Sequence, residues 1–90
     1  MPLLGEGSLL DFPCDFPIKV MGRKAPGFAQ AITDIVRRHA PDFDAASVQT
    51  RPSKGDRYLA LTLVVHASSR AQLDAIYHDL TACEDVAMAL

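Results

Sequence analysis

The sequence predicts an α+β domain in which two helices cover one face of a four-stranded antiparallel sheet. Leucine and valine residues alternate with smaller or polar residues over 58–67, which is the period of a half-buried strand. Two other segments carry apolar residues at spacings of three and four, the period of an amphipathic helix. Strand-like and helix-like segments follow one another in the order β-α-β-β-α-β.

The chain begins with a flexible lead over residues 1–11, where glycine and serine interrupt any periodicity. An extended segment then runs from Phe12 into a strand over 18–21. Pro13 and Pro17 each remove a backbone hydrogen-bond donor, so the regular strand is expected only after the second proline.

Both helices are predicted from an apolar stripe and from end signals. The first spans 25–39, with Pro26 in its opening turn, where a missing N–H group costs nothing. Its stripe consists of Phe28, Ile32, Ile35, Val36 and His39. The second begins at Ser69, which forms a capping box with Gln72. Its stripe consists of Leu73, Ile76, Tyr77 and Leu80.

The remaining strands are 46–51, 58–67 and a terminal strand in which Val86, Met88 and Leu90 alternate with other residues. The segment 46–51 is short and polar and is followed by Pro52, which is typical of a sheet edge. A turn over 53–56 joins it to the next strand as a hairpin.

This order of elements predicts the topology. Each β-α-β half crosses over right-handed, which puts both helices on the same face of the sheet. The result is a ferredoxin-like sandwich with strand order 4-1-3-2, formed by residues 12–90 as a single domain. The polar second strand then lies at an edge, in agreement with Pro52.

Composition excludes several classes of function. The net charge of −2 and pI of about 5.8 give no electrostatic reason to expect a nucleic acid or an anionic membrane as partner. The apolar run 63–65 is far too short to span a membrane, and no other run in the sequence approaches the length of a span. Cys14 and Cys83 are isolated cysteines, which is typical of reduced thiols in the cytoplasm. No cofactor and no metal site is predicted.

One turn has the features of an anion site. Gly22, Arg23, Lys24 and Gly27 lie between the first strand and the first helix, and they combine two glycines with two cations. The alternative is an ordinary strand-to-helix turn with solvated cations. The binding hypothesis places a small anionic metabolite here, with the Gly27 backbone close to it.

The outer face of the third strand is the second candidate. Ala60, Thr62, Val64 and His66 share the face that the helices do not cover, where polar residues are usual. The small or apolar residues indicate a second copy of the chain or another protein against this face. The alternative to a covered face is a mildly apolar face that stays hydrated because Thr62 and His66 are polar.

Enzymatic activity is the weakest hypothesis, and no catalytic residue is assigned. A hydrolytic site needs a histidine within reach of a nucleophile or a carboxylate. His39 and His66 are the candidates for such a site, and no sequence motif supports either.

Several strings resemble the YbeD-type proteins, a small bacterial family of unknown function. These strings are Leu9-Leu10-Asp11-Phe12-Pro13 with Phe16, Lys19-Val20-Met21-Gly22, Arg38-His39-Ala40-Pro41, Ser53-Lys54-Gly55 and Tyr77. The resemblance implies the same ferredoxin-like fold, similar to regulatory amino-acid-binding domains of the ACT type. No catalytic residues are established for the family, so none is carried over to this chain. The string 25–28 also resembles the Pro-Gly turn of ACT domains, which lies beside an effector site at a dimer interface.

Three functions therefore remain open. The first is a regulatory or small-ligand-binding domain that uses the Gly22–Phe28 turn. The second is a protein-interaction module that uses the outer sheet face or the polar edge strand. The third is an enzyme that uses His39 or His66.

Overall fold

The computed structural model describes residues 11–53, 55 and 57–90. The elements are β1 (Cys14–Arg23), α1 (Phe28–His39), β2 (Gln49–Pro52), β3 (Tyr58–Ala67), α2 (Arg70–Ala82) and β4 (Val86–Ala89). Of the predicted flexible lead, all but Asp11 lies outside the described residues. Neither helix in the described ranges is long and apolar enough to cross a membrane.

The sheet has the order β2-β3-β1-β4 with antiparallel neighbours, which confirms the predicted 4-1-3-2 topology. The inward side chains of the two central strands pack against both helical stripes to form one core. Its largest fully buried side chains are Ile18, Val20, Ile32, Val36, Leu61, Leu63, Val65, Leu73, Ile76 and Leu80. Within 11–53, 55 and 57–90, no helix or strand packs on the outward side of the sheet.

Strand β1 starts four residues earlier than predicted and continues through Pro17. Lys19 exchanges both of its backbone hydrogen bonds with Leu90, so its N–H group points toward the β4 side. The nitrogen of Pro17, two residues earlier, points to the same side. At that position β1 has no partner residue in β4. The proline therefore removes no donor from the ladder, which is why the strand tolerates it.

Helix α1 begins at Phe28 and not at residue 25. Gly27 is the N-cap residue with φ of 81°, a left-handed conformation that favours glycine. Pro26 therefore lies in the preceding turn, outside the helix, and the prediction that it occupies the opening turn was wrong. The basic residues Arg37 and Arg38 lie in the last turn, as predicted, where they interact favourably with the helix dipole.

A 3₁₀ turn over Ala45–Ser47 takes up residues that the sequence assigned to the second strand. Asp44 caps this turn, since its Oδ1 atom accepts a hydrogen bond from the backbone N–H of Ala46 at 3.0 Å. Strand β2 is consequently limited to Gln49–Pro52, all of it exposed at the sheet edge.

The N-cap of α2 is confirmed, because Ser69 Oγ accepts a hydrogen bond from the backbone N–H of Gln72 at 3.1 Å. The Gln72 side chain does more than close a capping box. Its Oε1 accepts from the backbone N–H of Ser68 at 2.7 Å, and its Nε2 donates to the carbonyl oxygen of His39 at 2.7 Å. Gln72 thus joins the start of α2 to the end of α1.

Strand β4 does not keep Val86, Met88 and Leu90 on one face. Its pairing with β1 shifts register between Met21 and Gly22, where a β-bulge places one extra residue in β4. Val86 and Ala89 therefore pack against the core, whereas Met88 and Leu90 are exposed.

Candidate functional site

No element of the described residues covers the second face of the sheet, and the outward side chains of this face form the candidate site. This open face comprises the odd-numbered residues 15–23 of β1 and the even-numbered residues 58–66 of β3. Gln49 and Arg51 of β2 extend the face on one side. Met88 of β4 and Leu90, which lies just after β4, extend it on the other. All four predicted residues, Ala60, Thr62, Val64 and His66, lie on this face.

Large apolar side chains are concentrated on the open face. Among the described residues, five large hydrophobic side chains are exposed, and all five belong to this face. They are Met21, Tyr58, Val64, Met88 and Leu90, with exposed fractions of 39, 41, 47, 50 and 62%. The helical side, by contrast, buries its apolar residues in the core, so the two sides of the molecule differ in chemical character.

The centre of the open face is a trough with a floor of small side chains. Ala60 lies between Arg51 on β2 and Met21 on β1, and Thr62 lies between Gln49 and Lys19. Two shallow depressions result. The larger, about 430 Å³, is lined by Lys19, Gln49, Thr50, Arg51, Ala60, Leu61 and Thr62. The smaller, about 120 Å³, is lined by Lys19, Val20, Met21, Ala60, Met88 and Leu90.

The charges of the open face are mainly positive, although the whole chain has a net charge of −2. Lys19, Arg23 and Arg51 are exposed there, and within the described part of the chain no ion pair involves them. Among the outward strand residues Asp15 is the one carboxylate, and it lies at the far end, where its Oδ1 is 3.1 Å from His66 Nδ1. The middle of the face therefore carries unpaired cations beside apolar side chains.

The predicted anion-binding turn lies at the end of the sheet where β1 passes into α1. Gly22 faces the core, and the absence of a side chain is needed for packing there. An added Cβ would overlap the Phe28 ring and the Asp85 carbonyl oxygen. Arg23 and Lys24 are exposed, and the Lys24 N–H donates to the Arg57 carbonyl at 3.0 Å. Nothing within 4 Å would meet a Cβ at Gly27, so this backbone is open to solvent.

His39 forms a contact that the sequence did not reveal. Its Nε2 atom lies 2.6 Å from Asp79 Oδ2, which ties the end of α1 to α2. Both side chains are partly exposed, at 26% and 31%. The hydrogen bond with His39, and then the weaker one with His78, lowers the pKa of the Asp79 carboxyl below its ordinary value. Since 40 residues separate the pair, no local pattern could have indicated it.

Both histidines of the enzyme hypothesis thus have a carboxylate neighbour, but on opposite sides of the molecule. Among the hydrogen bonds of the described residues, neither imidazole contacts a hydroxyl or a thiol. Cys14 and Cys83 are both free and partly buried. No group of three potential metal-ligating side chains occurs within 11–53, 55 and 57–90.

Two partly buried aromatic side chains, Phe16 and Tyr77, pack together at the border of the core. The rings of Phe16 and Tyr77 meet edge to face, with centroids 6.5 Å apart and an interplanar angle of 88°. Partial burial raises the pKa of the Tyr77 hydroxyl. Tyr77 therefore acts as a packing residue between α2 and β1.

Comparison with known proteins places the chain among bacterial relatives of similar length. The family model described as "Protein of unknown function (DUF493)" matches residues 7–90. A UPF0250 protein of Bordetella pertussis is 56% identical over 75 residues, covering 83% of this chain and 82% of the relative. A UPF0250 protein of Nitrosomonas europaea is 48% identical over 75 residues, covering 83% of this chain and 86% of the relative.

A solved structure shares the fold. The solution structure of protein HP0495 from H. pylori aligns with a TM-score of 0.75 and covers 100% of this chain and 94% of that one. At 13% sequence identity the likeness establishes the architecture alone. The family match and the sequence relatives confirm the resemblance to YbeD-type proteins, and the chain belongs to the DUF493 family of bacterial proteins of unknown function.

Proposed function

We propose that the chain is a non-catalytic regulatory domain that acts by binding another protein through its open face. The observation that carries the proposal is the concentration of all five exposed large apolar side chains of the described residues on that one face. Scattered exposed apolar residues are normal on protein surfaces, whereas a contiguous group of them is typical of interaction sites.

The gain from covering this face is moderate. Full burial of a Val, Leu or Met side chain gains about 1.5–3 kcal/mol, so covering the exposed half of one gains about 1 kcal/mol. Four such side chains, Met21, Val64, Met88 and Leu90, together with Tyr58, offer about 5 kcal/mol before the costs of association. This gain is no larger than the roughly 4–15 kcal/mol that association costs, so apolar burial alone gives at most a weak, reversible complex and the polar groups of the face must add to it.

The face is also preorganised for binding. Met21 and Val64 lie on the two central strands, whose inward neighbours are fully buried. The backbone that presents the apolar side chains is thus fixed by the core, so a partner would not have to order it on binding.

Photo-cross-linking in cells of the source bacterium tests the proposal. A photoreactive phenylalanine analogue replaces Met88 on the open face, and in a matched control it replaces Ala71, which is exposed on α2. We expect a discrete adduct with another protein from position 88 and none from position 71. Absence of an adduct at 88, or equal adducts at both positions, would refute binding through the open face.

A second candidate is the binding of a small anionic metabolite at the Gly22–Phe28 turn, as in the ACT-type domains that the fold resembles. The observation in its favour is the exposed Gly27 backbone at the start of α1, where no side chain caps the helix. Arg23 and Lys24 lie just before it and would contribute positive charge.

Thermal denaturation with a panel of amino acids and phosphorylated metabolites tests this candidate. A ligand present at about 100 times its Kd stabilises the folded state by roughly 2.7 kcal/mol, which shifts the melting temperature measurably. The shift should disappear in the Arg23→Ala/Lys24→Ala double variant. A panel that leaves the melting temperature unchanged removes the candidate.

A further inference from the structure

We propose that the partner of the open face is a protein segment carrying an acidic side chain next to an aliphatic one. The aliphatic side chain occupies the trough over Ala60, and the carboxylate pairs with Lys19 and Arg51. This inference rests on the proposed function and specifies the chemistry of the partner.

The shape of the trough favours an aliphatic side chain. Ala60 contributes a single methyl group between the longer side chains of Arg51 and Met21, which lie on either side of it in the same cross-strand row. Met88 extends that row beyond Met21. The depression of about 120 Å³ bordered by Met21, Met88 and Leu90 is lined almost entirely by apolar atoms and is of the size of one aliphatic side chain.

The charges beside the trough favour an acidic neighbour. Lys19 lines both depressions, and Arg51 lines the larger one, so both cations adjoin the apolar site over Ala60. Neither cation has an ion-pair partner among the described residues. A purely apolar partner would remove water from these cations without providing an opposite charge, which is costly. A partner that carries a carboxylate beside its aliphatic side chain would pair with them instead.

The same charges disfavour a second copy of the chain as the occupant. Because Lys19 lines both depressions, it lies near the middle of the face. A two-fold face-to-face contact centred on the middle of the face would bring the Lys19 side chains of the two copies close together. Like charges opposed across a desolvated interface cost several kcal/mol.

Nucleic acid and lipid fit the face less well. Base stacking needs aromatic platforms, and Tyr58, at the first position of β3, is the one aromatic side chain of the open face. An anionic bilayer would attract the three cations of the face but repel a chain whose net charge is −2. A protein segment that combines one or two carboxylates with aliphatic side chains matches both properties of the face.

Selection from a displayed library of random peptides tests the inference with the whole chain as immobilised target. Enriched peptides are synthesised, and their affinities are measured by fluorescence anisotropy. The Lys19→Glu/Arg51→Glu variant is compared with Arg37→Glu/Arg38→Glu, which makes the same charge change at exposed positions on α1. Circular dichroism confirms that each variant is folded. Ala60→Leu fills the trough without touching the core.

We expect enriched peptides to contain aspartate or glutamate adjacent to leucine, isoleucine or valine. Their affinity should fall roughly tenfold or more in Lys19→Glu/Arg51→Glu and in Ala60→Leu, and less than about twofold in the control. Raising the salt concentration from about 50 mM to about 500 mM should weaken binding.

Enrichment of uncharged or basic peptides, or of none that depend on Lys19 and Arg51, would overturn the inference. So would a stable dimer in sedimentation equilibrium, or binding of poly(U) RNA or phosphatidylglycerol vesicles that the face variant abolishes. If the cross-link from position 88 persists while the selected peptides lack acidic residues, the partner chemistry is wrong and the proposed function stands. Loss of the cross-link removes both.

Discussion

Replacing Gly22 by alanine provides the sharpest test of how the sheet and α1 fit together. The position faces the core, where an added methyl group would overlap both the Phe28 ring and the carbonyl oxygen of Asp85. Phe28 is 3% exposed, so its ring has little room to move. The Asp85 carbonyl is held in place because it accepts a hydrogen bond from the Arg23 N–H at 3.0 Å.

Overpacking a core typically costs about 1–3 kcal/mol. One of the two overlapped groups is the backbone carbonyl at the entry to β4, which cannot rotate away, so we expect a loss near the upper limit, about 3 kcal/mol. A domain of this length has about 5–13 kcal/mol of stability in total. The melting temperature should consequently fall by roughly 12–24 °C.

Urea unfolding followed by circular dichroism measures the loss, and Gly55→Ala is the control. Gly55 has φ of 85° and no atom within 4 Å of an added Cβ, so its replacement costs only the backbone strain, about 1–2 kcal/mol. Adding Phe28→Leu to Gly22→Ala should recover part of the loss, because it removes one of the two overlaps. If Gly22→Ala loses no more stability than Gly55→Ala, the packing argument fails.

Three further predictions concern the helix junction and the open face. Asp79→Asn should flatten the pH dependence of stability: a lowered pKa in the folded state adds stability at neutral pH that is lost as the pH falls below about 4. Free energies of unfolding for wild type and variant should converge in acid, and parallel curves would contradict the assignment. Gln72→Ala should cost about 1 kcal/mol in chemical denaturation, because it leaves the partly buried His39 carbonyl without its donor, whereas the Ser68 N–H is exposed to water. A loss below about 0.5 kcal/mol would show that water replaces both bonds. Met88→Lys should change the free energy of unfolding by less than about 0.5 kcal/mol in the same assay, since the side chain is half exposed, and a larger loss would mean that Met88 serves the fold.

The sequence predicted the elements with the strongest periodicity most accurately. Strand β3 has the predicted bounds, since alternation over ten residues leaves no other arrangement that buries Leu61, Leu63 and Val65 together. Errors concerned element ends, two prolines and the division of β4 side chains between the faces of the sheet. Pro17 and Pro26 were both misplaced, because the cost of a proline depends on where its nitrogen points in the assembled sheet or turn, and local sequence does not specify that direction.

The candidate site was predicted in part. Ala60, Thr62, Val64 and His66 followed from alternation within a single strand. Met88 and Leu90 were missed, because a bulge against β1 turns them outward and a bulge is a property of two paired strands. The trough beside Lys19 was missed for the same reason: it arises from rows of residues that neighbour one another across strands.

The amino-acid sequence by itself determined the order of elements, the identity of the core-facing stripes and, through the handedness of the crossovers, the strand order and the side on which the helices lie. The tertiary structure alone decided which distant residues meet. It joined His39 to Asp79 and Gln72 to the end of α1, placed Phe28 over Gly22, and gathered the exposed apolar side chains and unpaired cations on one face. Periodicity is local and governs how one segment divides its side chains between core and solvent, whereas such contacts depend on register and packing between segments far apart in the chain.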